Sequence, residues 1–143
     1  MTPALADILR GNFMCLAIPA PVESQGEFMT GRVGVIALLS LLAAQEVERG
    51  TTARVWENAA IAAVLAEAAD LYGVQYAELA ETRATDLSLV ALDIANAALR
   101  RGLIALHEAV EDARDLARHR VIVALYGEMA QMRRLDLPPL PAR

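Results

Sequence analysis

Few side chains in this 143-residue chain have both the type and the spacing that chemistry needs. Its two histidines are His107 and His119. His107 and Glu111 stand four apart, so on a helix they share a face and offer a metal two ligand atoms. An ordinary exposed i,i+4 pair has the same spacing. A carboxylate-bridged di-iron site needs Glu-x-x-His on two helices. Ile104 and Leu116 stand three residues before the two histidines, so that motif is absent. No metal site is predicted. Cys15, within Met14-Cys15-Leu16, reads as a buried inert thiol. No Gly-x-Ser-x-Gly elbow and no phosphate loop occurs. Gly31-Arg32-Val33-Gly34 opens a helix and suits either an anion or a crowded helix junction. No catalytic residue and no cofactor is predicted.

Arg54 and Asn58 are the polar residues of most interest. They interrupt a helical stripe flanked by Val47 and Ile61. Three arrangements fit them. They form a pocket that recognises a carboxylate or phosphate. They form a structural polar layer, with Arg54 reaching Glu57, Glu46 or an acid on a neighbouring helix. Or a kink at Gly50 turns them into water. The layer is the favoured reading and the pocket the functional alternative. Arg114, Arg118, His119 and Arg120 form a basic patch, with Arg100 and Arg101 one element earlier. Glu108, Glu111, Asp112 and Asp115 are interleaved with them, which reads as a solvated face of ion pairs. Met129 and Met132 beside Tyr126 read as core filling at helical spacing.

The elements that position these residues are helices. The chain holds 29 alanines and 21 leucines, and aromatics are only 4%, which favours helix over strand. Thr2-Pro3 opens a short helix that Gly11 closes. Asn12 to Phe28, with Pro19 and Pro21, reads as an irregular packing arm. A second helix is expected from a Thr30 cap. Its stripe runs Ile36, Ser40, Ala43, Val47, Gly50, Arg54, Asn58, Ile61, Leu65, Ala69 and Tyr72, at helical period. Gly50 breaks or bends it, and the unbroken phase favours a bend. Leu38, Leu41 and Leu42 make its first half apolar nearly all round, so that half should be enclosed on several sides. Gly73 terminates it.

A connector over 74–85 carries at most one helical turn, at Tyr76 to Glu81. Asp86, after Thr85, is the expected cap of the next helix. There Leu89, Leu92, Asn96, Leu99, Leu103, Leu106 and Val110 are spaced 3-4-3-4-3-4, the two seam positions of consecutive heptads. An Asn in such a seam either fixes register by pairing across an interface or bonds to a neighbouring helix of the same chain. Over 112–120 the helix bends or breaks. Val121, Ile122, Leu125, Tyr126, Met129 and Met132 form a last amphipathic face. Pro138, Pro139 and Pro141 end helical structure.

The sequence therefore predicts an all-α fold: an elongated antiparallel bundle of long helices, completed by homodimerisation through the leucine seam. The expected division is 1–31 (short helix and arm), 32–134 (helical domain) and 135–143 (Pro-rich tail). The formal net charge of −5 excludes a general nucleic-acid binder. Val33 to Ala44 is too short for a membrane span, which needs about 20 residues. Asp7 and Arg10 interrupt any signal-peptide core. One cysteine allows no internal disulfide, and a cytoplasmic location is expected. All 13 basic residues are arginine, as GC-rich coding produces; composition and helix layout resemble small bacterial proteins, and no motif names a family. The expected function is non-enzymatic: a self-associating adaptor or scaffold that engages another protein. The alternative is a small-molecule-binding bundle, or a cryptic enzyme, using an Arg54/Asn58 pocket.

Overall fold

The computed structural model describes residues 5, 7–9, 11–12 and 25–137, with the side chains of 25–30 excepted. Most of the expected arm, Cys15 included, and the prolines of the tail lie outside the described residues. Every regular element among the described residues is helical. Leu5, Asp7, Ile8, Leu9, Gly11 and Asn12 are helical, and four further helices follow: α1 (Gln25–Tyr72), α2 (Val74–Ala80), α3 (Leu89–Asp112) and α4 (Leu116–Met132). None of the helices described is long and apolar enough to cross a membrane.

Several element boundaries differ from those expected. The backbone is already helical at Gln25, ahead of Thr30; Pro21 is the last proline before it, and nothing after Val22 forbids helix. The helical assignment passes Gly50 without interruption. Gly73 ends α1 at φ 122 and ψ 151, a glycine-only conformation outside the left-handed helical region. The cap of α3 is Ser88, whose hydroxyl accepts the Ala91 N–H at 3.2 Å. Asp86 supports the approach instead, accepting the Ser88 N–H at 2.7 Å. The expected break in 112–120 falls at Ala113-Arg114-Asp115, where Arg114 takes a positive φ of 55 and Asp115 caps α4.

The chain divides into two compact units, Met1–Arg49 with Leu135–Arg143, and Gly50–Arg134. In the first unit Ile8, Ala43, Gln45 and Glu46 are buried, whereas Val33 and Val47 are 60% and 66% exposed. The first half of α1 is thus not enclosed on all sides. Gln45 takes the inward place expected for Val47. Its amide donates to the Asp136 carbonyl at 2.8 Å and accepts the Asp136 N–H at 2.7 Å. Those two bonds offset the cost of burying the amide. Arg49 adds an ion pair to Asp136 at 2.9 Å.

The second unit holds one apolar core. Ile61, Leu65 and Ala68 of α1 meet Tyr76 and Ala80 of α2, Leu99, Leu103, Leu106 and Val110 of α3, and Ile122, Leu125 and Met129 of α4. Gly102 lets α2 approach α3: a Cβ there would lie 2.9 Å from Leu79 Cδ1. The leucine seam of α3 is therefore covered by the chain's own helices, from Leu92 to Val110.

Candidate functional site

The second half of α1 and the start of α3 carry a polar layer centred on Glu57, whose side chain is fully buried. Glu57 Oε1 accepts Asn96 Nδ2 at 2.8 Å and Arg100 Nε at 2.6 Å. Its Oε2 accepts Arg133 Nε at 2.6 Å, from the residue that caps the end of α4. Asn96 Nδ2 also donates to Asn58 Oδ1 at 2.8 Å, and Asn96 Oδ1 accepts from the Arg133 guanidinium at 3.2 Å. Asn58 Nδ2 donates to the Leu92 carbonyl at 3.1 Å. Burial pushes the Glu57 carboxyl up. The hydrogen bonds from Arg100, Asn96 and Arg133, with the Arg133 charge, outweigh that and hold it below the ordinary glutamate value.

Arg54 sits one turn earlier, 4% exposed. Its Nε donates to Asp93 Oδ1 at 2.6 Å and its guanidinium to the Gly50 carbonyl at 3.1 Å. Arg54, Asn58 and Asn96 are thus held in a structural polar layer rather than turned into water. The acid that meets Arg54 is on the neighbouring helix.

A cleft of about 570 Å³ opens beside this layer. Its floor is alanine: Ala59, Ala62, Ala63 and Ala66 of α1. Asn58 reaches it, with Glu81, Arg83 and Asp86 among the polar lining residues, and Leu87 also lines it. Arg54 is not among the residues that line it. Of the Arg54/Asn58 pair only Asn58 reaches the cleft, and its amide is already hydrogen-bonded to Asn96 and Leu92.

The outer side of α3 is the second notable surface. Val90, Ile94 and Ile104 are 71%, 69% and 54% exposed, and Leu87 before them is 69% exposed. With Ala97 and Arg101, also exposed, they run 87, 90, 94, 97, 101, 104, again at steps of three and four. Each helical member of this row precedes an inner seam residue by two positions, about 200° around the helix. One helix therefore carries two heptad seams, one buried in the chain and one facing water. Asp86 and Asp93 flank the beginning of the outer row; Arg100 flanks its later half and Arg101 interrupts it.

Of the expected interface residues, Leu92, Asn96, Leu99, Leu103, Leu106 and Val110 are buried within the unit and Leu89 is partly buried. Sequence reasoning names Glu57 only as a possible partner of Arg54 and Arg100 only in the basic patch, and it passes over Arg133. A signal for Glu57 existed: the row Gly50, Arg54, Glu57, Ile61, Leu65, Ala68 and Tyr72 keeps helical period as well as the row through Asn58 does. No family model, curated protein or solved structure matches the chain.

Proposed function

We propose that this protein is a non-enzymatic, self-associating helical scaffold, and that two copies pair through the outer seam of α3. The observation that carries this reading is the exposed row Leu87, Val90, Ile94 and Ala97, continued past Arg101 to Ile104. Such a row loses about 25 cal/mol of stabilisation for each Å² of apolar surface left in water. A contiguous exposed apolar patch marks an interaction site more often than scattered apolar residues do. Its heptad spacing suits a second helix of the same kind. Charge chooses the direction. Acids precede bases along the row, so antiparallel pairing sets Asp93 of one copy near Arg100 and Arg101 of the other, and parallel pairing sets like against like. Asp93 and Arg100 keep 44% and 40% of their side chains exposed while holding Arg54 and Glu57. The alanine-floored cleft shares Leu87 with this row, and offers a shallow apolar seat for a further protein partner.

Light scattering over a range of concentrations tests the pairing. The expected result is a mass of two chains that falls to one on dilution, and to one throughout for Ile94→Glu with unchanged helicity. A wild-type mass of one chain at every concentration rejects it.

A further inference from the structure

His107 and His119 stand six residues on either side of Ala113, and the tight turn between α3 and α4 folds them together. The turn is well held. Asp115 N–H donates to the Val110 carbonyl at 3.1 Å, and the Asp115 carboxylate accepts the Arg118 N–H at 3.0 Å. Tyr72 donates its hydroxyl to the same carboxylate at 3.0 Å. His107 Nε2 then lies 3.0 Å from His119 Nδ1. Glu111, one turn after His107, brings Oε1 to 3.6 Å from the first nitrogen and 3.8 Å from the second.

We propose that His107, Glu111 and His119 form a divalent transition-metal site of the Zn²⁺ class. Three atoms each about 2.0–2.1 Å from a tetrahedral zinc stand about 3.3 Å apart. The observed triangle has sides of 3.0, 3.6 and 3.8 Å. The ligand set, two imidazoles and one carboxylate, is the borderline-soft combination that zinc takes and calcium or magnesium does not. His107 also has an outer partner. Its Nδ1 lies 3.4 Å from the Tyr126 hydroxyl, so an Nδ1–H donated to that oxygen leaves the Nε2 lone pair free for the metal. Tyr126 itself is packed against the core, which fixes the ring it orients.

Three protein ligands leave a fourth tetrahedral position for water or a small anion. A hollow of about 370 Å³ adjoins the site, lined by Glu111, His119 and Arg114 among others. The guanidinium there suits an anionic fourth ligand. Without metal, one imidazole N–H donates to the other ring. When metal binds, that ring carries its proton on its other nitrogen, and both facing nitrogens turn lone pairs to the metal.

The test is titration of the chelator-stripped full-length chain with Zn²⁺ by calorimetry, and with Co²⁺ by absorption. One Zn²⁺ per chain is expected, and a Co²⁺ spectrum of tetrahedral intensity. His119→Ala and Glu111→Gln should each weaken Zn²⁺ by more than the loss in Tyr126→Phe, where an outer-shell change costs roughly 10-fold. Helicity measured on each variant checks that it folds, and Glu111→Gln alters an exposed side chain that the fold does not need. Absence of a wild-type binding event overturns the assignment. So does Zn²⁺ binding that is undiminished when both histidines are replaced. Either result leaves the pairing of copies through α3 untouched, because that pairing is read by mass alone.

Discussion

The two polar clusters of the second unit are built alike and finished differently. Around Glu57 every strong donor and acceptor meets a partner, and the carboxylate at the centre is sealed from water. Around His107 the contacts are longer, 3.0 to 3.8 Å, and Glu111 is 59% exposed and His119 37% exposed. The first cluster has no capacity left for a ligand. The second brings two imidazole nitrogens and a carboxylate oxygen within 3.8 Å of one another. Closure marks a part that holds the helices in register; incomplete closure marks a part that can take something from solution. Polarity alone does not separate these cases, whereas satisfaction does.

The largest effect is expected at Glu57. Glu57→Gln removes the charge that two arginines share and leaves their guanidiniums without a counterion. Breaking a buried pair this way costs about 3–5 kcal/mol. Urea unfolding measures it, and a cost below about 1 kcal/mol would mean that the arginines find water. The same carboxylate predicts an acid response. Its folded pKa lies below the ordinary glutamate value, so its contribution is complete above that value. It is lost as pH falls through the folded pKa. Wild type should therefore lose stability on acidification more steeply than Glu57→Gln does, and parallel curves would remove Glu57 as the cause.

Arg54 comes next. Arg54→Met leaves Asp93 without its guanidinium and takes the side-chain donor from the Gly50 carbonyl, which keeps its helical N–H, while the methionine stem keeps most of the apolar contact. Asp93 is part-exposed and can rehydrate, so about 1–3 kcal/mol is expected from the same unfolding measurement. No loss at all would place Arg54 in water, against its burial.

How much of this was legible in the sequence follows from which contacts are local. Helix, its period and the inner seam of α3 were readable, because Leu92 to Val110 repeat within one element. The partners of that seam were not. A leucine heptad looks the same whether it meets a second copy or α1, α2 and α4 of its own chain, and here the chain covers it. Arg54 was legible as a polar interruption, but Asp93 lies 39 residues away and no spacing rule links them. Glu57 is legible only as a possible partner of Arg54 and not as the centre of the layer, because the rows through Asn58 and through Glu57 both fit the helical period. His119 was read as part of a basic patch. Only the turn at Arg114, whose positive φ no motif announces, carries it to His107.

The smallest effect in the absence of metal is expected at His119, and it separates the two clusters most sharply. In the stripped protein His119→Ala loses one hydrogen bond on a partly exposed side chain, about 1 kcal/mol or less. A ligand that binds only the folded state adds stability in proportion to the logarithm of its concentration over Kd, about 2.7 kcal/mol at a hundredfold excess. With Zn²⁺ present the gap between wild type and His119→Ala should therefore widen by that amount, while the deficit of Glu57→Gln stays constant. A gap that does not respond to Zn²⁺ would make the histidine pair a second structural tie like the Glu57 layer, weaker only because water reaches it.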